Sequence, residues 1–474
     1  MRRLSVRLLI ALALLAGAHA AVETQTFDLV IANGRVIDPE TRLDAIRNIG
    51  ISAGTIAAIS DGPLGGTRTI DARGLVVSPG FIDLHAHGQI PETYRLEAAD
   101  GVTTALELEV GTGDVNRWYD ERRDGRLINY GVSVGHIPVR MAVLHDPGAF
   151  LPSGDGAHRA ATPVELREIV AGLERGLAQG GVDVGAGFVY TPAATRDELL
   201  EVFRVAGRGN VPVHVHIRRG SPGLDEALSL ATEANAGLHV VHINSVGRDD
   251  TSRMLAAIEA ARARGRDVTT EAYPYDAGMT EITSANLDEY VGATSERLAQ
   301  LEWPRTGERL TPETFAKYRQ TGGPVVLHTN SEAMVTVAIT SPLTMIASDA
   351  YWENGVGHPR TAGTYSRVLG RYVRDAHAIS LIEAIGKMTL MPAQRLEKRV
   401  PSMKLKGRIQ RGADADLTLF DPATIVDRST YREPGLPPSG IAHVLVKGVP
   451  VVANGAVLNG VAPGRAVRAP VASR

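Results

Sequence analysis

A (β/α)8 barrel carrying a small β domain assembled from both chain ends is the architecture that this 474-residue sequence predicts. Three observations carry the prediction. Between residues 79 and 400, strand-like apolar runs alternate with amphipathic helical stretches, the pattern of a parallel sheet wrapped by helices. The two flanks are instead short apolar runs punctuated by turn residues. Polar residues capable of chemistry fall where apolar runs give way to loops, the strand ends that converge on the catalytic face of such a barrel.

In chain order, residues 1–20 (MRRLSVRLLIALALLAGAHA) place arginines ahead of a short apolar run that ends in Ala18-His19-Ala20. That is the pattern of a secretory signal peptide, and the run is too short for a comfortable membrane span. A mature chain starting near Ala21, periplasmic or secreted and without a membrane span, is expected. Residues 21–78 contain FDLVIANGRVIDP, NIGISAGTIAAISDG and RTIDARGLVV, read as strands joined by Asn-Gly, Asp-Pro and Ala-Gly turns. The same texture returns in ADADLTLFDPATI and IAHVLVKGVPVVANGAVLNG, so 21–78 and 401–474 are assigned to one β domain.

The middle repeats strand and helix: TPVELREIVAGLERGLAQ, VGAGFVY, RDELLEVFRVAGRG, VPVHVHI, GLDEALSLATEANAG, LHVVHIN, TSRMLAAIEAARARG and DVTTEAYPY. Residues 276–323 show few strand signals and read as a loop insertion near the barrel mouth. Hydrophobic residues at 44%, charged residues at 22% and a net charge of −3 suit a globular protein and offer no basic surface for nucleic acid. Cysteine is absent, which removes disulfides, thiolate ligands and thiol nucleophiles together. No serine-nucleophile elbow is expected either.

The stretch TTALELEV poses the central chemical question. Alternate strand residues share a face, so Glu107 and Glu109 point the same way. In a barrel, strands are buried on both faces, and two interior carboxylates need positive charge beside them. His85 and His87 end one apolar run at i, i+2 spacing; His216, His242 and Asp349 end three others. Four imidazoles and a carboxylate converging on one face suit one or two divalent metal ions, zinc first among them. His214 is the rival to His216, being on the same side of its strand. A two-metal site needs an anionic bridge. No lysine precedes Lys317 and there is no cysteine, so a carboxylate remains. Glu109, nearer the strand end, is the expected bridge, with Glu107 one layer deeper orienting a ligand; the reverse assignment stays open. His136 and His328 are read either as pocket residues or as structural ones.

Several runs together carry a family resemblance: GLVVSPGFIDLHAH, GVTT, SVGHIPVR, GFVYTPA, HVHIR, EAYPYDAG, GHPRTAGTYSRVLGRYVR and KGRIQRGADADLTLFDP. The chain resembles the amidohydrolase superfamily, and within it the D-aminoacylase (N-acyl-D-amino-acid deacylase) group. The resemblance implies a TIM barrel with a small β-sandwich built from both termini. It implies metal ligation by His85, His87, His216 and His242, and Asp349 as metal-adjacent catalytic acid and base. It also implies that Tyr190 and Arg360 hold the substrate carboxylate. Two departures stand out: LELEVG replaces the family's Gly-Asn-Cys-Gly segment, and His242-Ile243-Asn244 replaces a His-His-Lys run. The activity implied is hydrolysis of a linear amide in an N-acyl-D-amino acid or related small molecule, by a metal-activated water. The competing readings are a dipeptidase or cyclic-amide hydrolase on the same scaffold, and a non-catalytic scaffold or binding protein.

Overall fold

Eight parallel strands form the central sheet of the computed structural model, which describes residues 26–471. They are β1 (Phe81–Asp83), β2 (Val102–Thr112), β3 (Asn129–Gly135), β4 (Val184–Gly187), β5 (Pro212–His216), β6 (Gly237–Val240), β7 (Val268–Ala272) and β8 (Thr344–Ile346). Neighbours in sequence are neighbours in the sheet, and each ladder from β1 to β8 is parallel. The barrel closes just beyond the ends of β8 and β1. There His87 N donates to Ala350 O (2.9 Å) and Ala350 N to His85 O (3.3 Å). The buried Asp83 carboxylate secures the seam, accepting from His85 N (3.0 Å) and Ser348 N (3.1 Å). The expected signal segment lies outside the described residues, among which no helix is long and apolar enough to cross a membrane.

The outer helices follow from local sequence. Pro163–Ala178 starts with a reciprocal capping box between Thr162 and Glu165 and with proline in its first turn. Arg196–Gly209 buries Leu199, Val202, Phe203 and Ala206 on one stripe and ends at Asn210 in the left-handed conformation, a C-terminal stop that asparagine tolerates. Gly220–Ala234 ends the same way at Asn235. The alternation read from sequence therefore marks real boundaries.

Both chain ends build one nine-stranded sheet. Leu417–Phe420 and Val76–Pro79 pair antiparallel and join the C-terminal strands to Leu29–Asp38, Leu43–Ser52 and Thr55–Ser60. The sheet curls until Ile56 N donates to Ala413 O (2.9 Å), enclosing a core of Ile31, Val36, Ile49, Leu417 and Leu445. Three expectations need correction. Asn33-Gly34 is a bulge inside one ten-residue strand, where a Cβ on Gly34 would lie 2.5 Å from Val77 Cγ2, and so is not a turn between two strands. The glycine serves close approach. Residues 463–471 leave this sheet: Val467 N donates to Tyr130 O (2.7 Å) and Ala469 N to Gly180 O (3.1 Å), so the boundary drawn at 401–474 does not hold for them. Finally, residues 276–323 form no plain loop. With Pro324–Leu327 they make a four-stranded sheet with its own core, in which Trp303 and Tyr318 stack at 4.0 Å. Its strands are two to four residues long, too short for an alternation pattern to show.

Candidate metal centre

The C-terminal ends of β2, β5, β6 and β8, with the segment after β1, bring six side chains to one point. His85 Nε2 and His87 Nε2 lie 3.0 Å apart, and Glu109 Oε2 is 2.9 Å from the first and 3.3 Å from the second. Glu109 Oε1 faces the other way and lies 3.1 Å from His216 Nδ1. Asp349 Oδ1 is 3.4 and 3.2 Å from the nitrogens of His85 and His87, and its Oδ2 is 4.0 Å from His242 Nε2. Three overlapping donor sets result: His85, His87 and Glu109; Glu109, His216 and His242; His85, His242 and Asp349. One carboxylate thus presents an oxygen to each of two imidazole pairs, the geometry of a bridge.

Local backbone explains the aim of Glu109. The β2–β3 register breaks after Glu107, and Glu107 Oε1 accepts from Val110 N (3.1 Å) and Gly111 N (3.3 Å), folding the strand end into a bulge. Gly185 on β4 lets this stretch approach, since a Cβ there would meet Glu109 O at 2.2 Å. His242 and Asp349 both have left-handed backbones, φ 30° and 53°. For residues other than glycine such conformations cost about 1–3 kcal/mol and concentrate at functional sites.

A second layer sets the imidazoles. His87 Nδ1 donates to Glu107 Oε2 (2.6 Å), and His85 Nδ1 to Glu271 Oε1 (2.6 Å). Glu271 Oε2 in turn accepts from His239 Nε2 (3.0 Å). The bonds from His87 and His85 fix those two rings and leave each Nε2 toward the centre, as partners behind metal-binding histidines do. Burial opposes charge on His85, yet the carboxylates of Asp349 and Glu271 outweigh it and push its pKa up to about 10. Burial likewise opposes ionisation of Glu109, but hydrogen bonds from His216, His85 and His87 hold it well below the usual carboxylate range. His242 is lowered to about 3, because burial and neighbouring His216 outweigh the opposing charges of Asp349 and Glu109.

These residues fit a divalent cation. Two imidazole nitrogens 3.0 Å apart and facing one carboxylate oxygen set lone pairs against each other, which a shared cation or proton must offset. The donors are nitrogen and oxygen throughout, the set that zinc and its first-row neighbours accept. Glu107→Gln is expected to weaken metal binding about 10–100-fold, since Glu107 supports the centre indirectly, through the His87 ring and the backbone bulge that aims Glu109. Metal titration of the demetallated protein checks it, and unchanged affinity would deny Glu107 this role.

Other expected residues sort cleanly. His214 lies deeper in the barrel, 3.0 Å from Asp183 and stacked on His239 at 4.4 Å, away from the centre. His136 is buried against Glu198 (2.8 Å), and His328 pairs with Glu302 (3.1 Å) in the inserted sheet. Residues 131–135, Gly-Val-Ser-Val-Gly, do carry the spacing of a serine-nucleophile elbow, against expectation. But Ser133 is buried on β3 with its hydroxyl donating to Leu108 O (2.9 Å), and it is no exposed nucleophile. Tyr190 sets its ring edge-on to His216, centroids 4.8 Å apart, and lines a small pocket beside the centre. Arg360 does not face open space as expected of a carboxylate grip. It lies 2.8 Å from Asp349 Oδ2, donates to Asp349 O (2.5 Å) and covers the Tyr273 ring, because its helix starts directly behind the β8 loop. Asn244 donates to Tyr273 O (3.2 Å) and supplies no cation.

Sequence reasoning missed Glu271 and Asp83. Both were findable: Glu271 shares an inward face with Thr269 on β7 by the alternation that exposed Glu107 and Glu109.

Two cavities flank the centre. One of about 600 Å³ reaches it at His87 and is lined by Ile90, Phe150, Leu151, Tyr351 and Trp352. The other, about 40 Å³, touches His216, His242 and Asp349. Residues 76–273 match the amidohydrolase family. Over 480 residues the chain is 30% identical to a D-aminoacylase of Alcaligenes xylosoxydans xylosoxydans, covering 90% of this chain and 95% of that one. An N-acyl-D-glutamate deacylase of Bordetella bronchiseptica, solved with zinc and a phosphonate mimic of the tetrahedral intermediate, superposes with a TM-score of 0.80 at 27% identity. It covers 94% of this chain and all of its own. A D-aminoacylase solved in work on its binuclear metal centre gives the same TM-score at 26% identity, over 93% of this chain and all of its own. With six converging donors, an eight-stranded barrel and relatives matched along nearly its whole length, this chain belongs to the amidohydrolase superfamily, in its D-aminoacylase group.

Proposed function

We propose that this protein is a metal-dependent hydrolase of linear, non-peptide C–N bonds that deacylates N-acyl-D-amino acids. One observation carries the reading: the Glu109 carboxylate spans two imidazole pairs directly beside an Asp349 held by arginine. His85, His87, Glu109, His216, His242 and Asp349 would hold one or two divalent ions, zinc by donor chemistry and by the relative solved with it. When bound there, the metal polarises the scissile carbonyl and acidifies the attacking water.

The chain's own residues do the rest. Burial opposes ionisation of Asp349, but Arg360 and His85 keep it well below the usual carboxylate range, so it is charged at neutral pH. An ionised Asp349 accepts the proton of the attacking water and returns it to the amide nitrogen, whose bond to the acyl carbon then breaks. Arg360 fixes the carboxylate for both transfers. Tyr190, buried beside His216, has a phenol kept protonated far above its ordinary range, chiefly by burial and then by Glu109, and so stays a donor toward substrate. A non-catalytic scaffold would not need the complete donor set, and this chain keeps it.

Chelation is expected to reduce turnover of N-acyl-D-amino acids by more than about a hundredfold, with recovery on adding zinc. The same assay over N-acyl-L-amino acids and dipeptides tests the substrate class. Turnover insensitive to chelation, or faster turnover of the L series, would reject the proposal.

A further inference from the structure

The substrate of such a reaction carries a free carboxylate, and the two cavities differ sharply in what they offer it. The larger one contains no lysine or arginine among its lining residues; its charged walls are Glu281 and Glu353, so it repels an anion and accepts an acyl group against Phe150 and Trp352. The smaller pocket holds two guanidiniums, Arg219 and Arg248, together with Tyr190 and Ser245. Its volume of about 40 Å³ admits a carboxylate but no bulky group.

The two arginines lack matching acid. Glu289 serves Arg219 (2.6 Å) but also Arg297 (2.5 Å), so one carboxylate is divided between two cations. Asn286 Oδ1 accepts a further bond from Arg219 (3.2 Å). Arg248 makes no ion pair among the described residues, and its buried Nε has no hydrogen-bond partner. Burial followed by the charge of Arg219 lowers the pKa of Arg248, and neighbouring Tyr290 and the already shared Glu289 do not offset them. A buried donor without a partner is costly unless a ligand completes it. The backbone at Arg248 also has a positive φ, 48°, which side-chain-bearing residues rarely adopt. Arg219 follows β5 by three residues and Arg248 follows His242 by six. Arg219 thus lies in the loop that leaves the strand end holding His216, and Arg248 in the helical turn that follows His242, Ile243–Gly247 and Arg248–Asp250.

We propose that Arg219 and Arg248 jointly bind the free carboxylate of the substrate's amino-acid half, which orients the amide across the metal centre with its acyl group in the larger cavity. The proposal deepens the deacylase reading and rests on it. Arginine suits the role because its planar fork meets a carboxylate with paired hydrogen bonds. It also assigns the two arms of substrate to opposite sides: carboxylate toward His216 and His242, acyl group toward His87.

The test compares N-acetyl-D-amino acids with their C-terminal carboxamides, using metal-loaded wild type, Arg219→Met, Arg248→Met and Arg248→Lys. The wild type is expected to prefer the acid. Arg248→Met should raise KM for the acid about ten- to a hundredfold more than for the carboxamide, with kcat little changed, and Arg248→Lys should recover part of the preference. Thermal melting confirms that each variant is folded. A wild type that treats acid and carboxamide alike, or an acid preference unchanged in both methionine variants, overturns the proposal while leaving the deacylase reading intact. If neither compound is hydrolysed, that reading falls. Calorimetric binding of the same pair then decides this one: selective loss of acid binding in Arg248→Met supports it, and equal binding of acid and carboxamide overturns it.

Discussion

Asp349→Asn is expected to lower kcat by about two to four orders of magnitude while most of the bound metal stays in place. The substitution keeps the shape of the side chain and one carbonyl oxygen, so its contact with the His85 and His87 nitrogens can persist. What disappears is the ability to take a proton. Asparagine also cannot pair with Arg360 and face the imidazoles with oxygen on both sides, as Asp349 does at 2.8 Å and 3.2–3.4 Å. KM should move much less than kcat, because the lost interaction belongs to the transition state. Metal content per chain and steady-state kinetics on an N-acyl-D-amino acid check this. Turnover within tenfold of wild type would remove Asp349 from proton transfer.

Glu109→Ala should have the largest effect on metal content. The carboxylate is 2% exposed and faces three imidazoles, so nothing from solvent can replace it without rearrangement. Removing one partner of such a buried charged cluster costs about 3–5 kcal/mol, which corresponds to roughly two to four orders of magnitude in metal affinity. Glu109→Gln, which keeps one acceptor oxygen, should fall between alanine and wild type. Glu107→Gln should be milder than either, since Glu107 touches only His87 Nδ1 and the β2 backbone. Metal titration ranks the three. If Glu107 proved the more costly loss, the bridge would have to be reassigned to it.

Much of the centre was legible before any coordinates. Strand alternation put Glu107 and Glu109 on one face, and the apolar-to-polar transitions at His85, His216, His242 and Asp349 marked strand ends that a parallel barrel must gather. The absence of cysteine and of any early lysine left a carboxylate as the anionic donor. The choice of His216 over His214 followed from depth along the strand. What failed were features without a period. The inserted sheet has strands of two to four residues, and its core of Leu287, Tyr290, Trp303 and Phe315 is set by packing across turns. Asn33-Gly34 carries turn chemistry, yet a neighbouring strand uses it as a bulge.

By itself, the amino-acid sequence determined the barrel, the β domain drawn from both ends and a short set of candidate donors, with Glu107 and Glu109 still interchangeable, because burial alternation and strand ends are local properties of the chain. Only the tertiary structure decided which group each donor faces. Arg360 meets Asp349 instead of open space, Glu271 reaches His85 across the barrel, and Arg219 and Arg248 meet in one pocket. Those pairings join residues far apart in sequence, and their energies depend on distance and shared burial, quantities that no local pattern encodes.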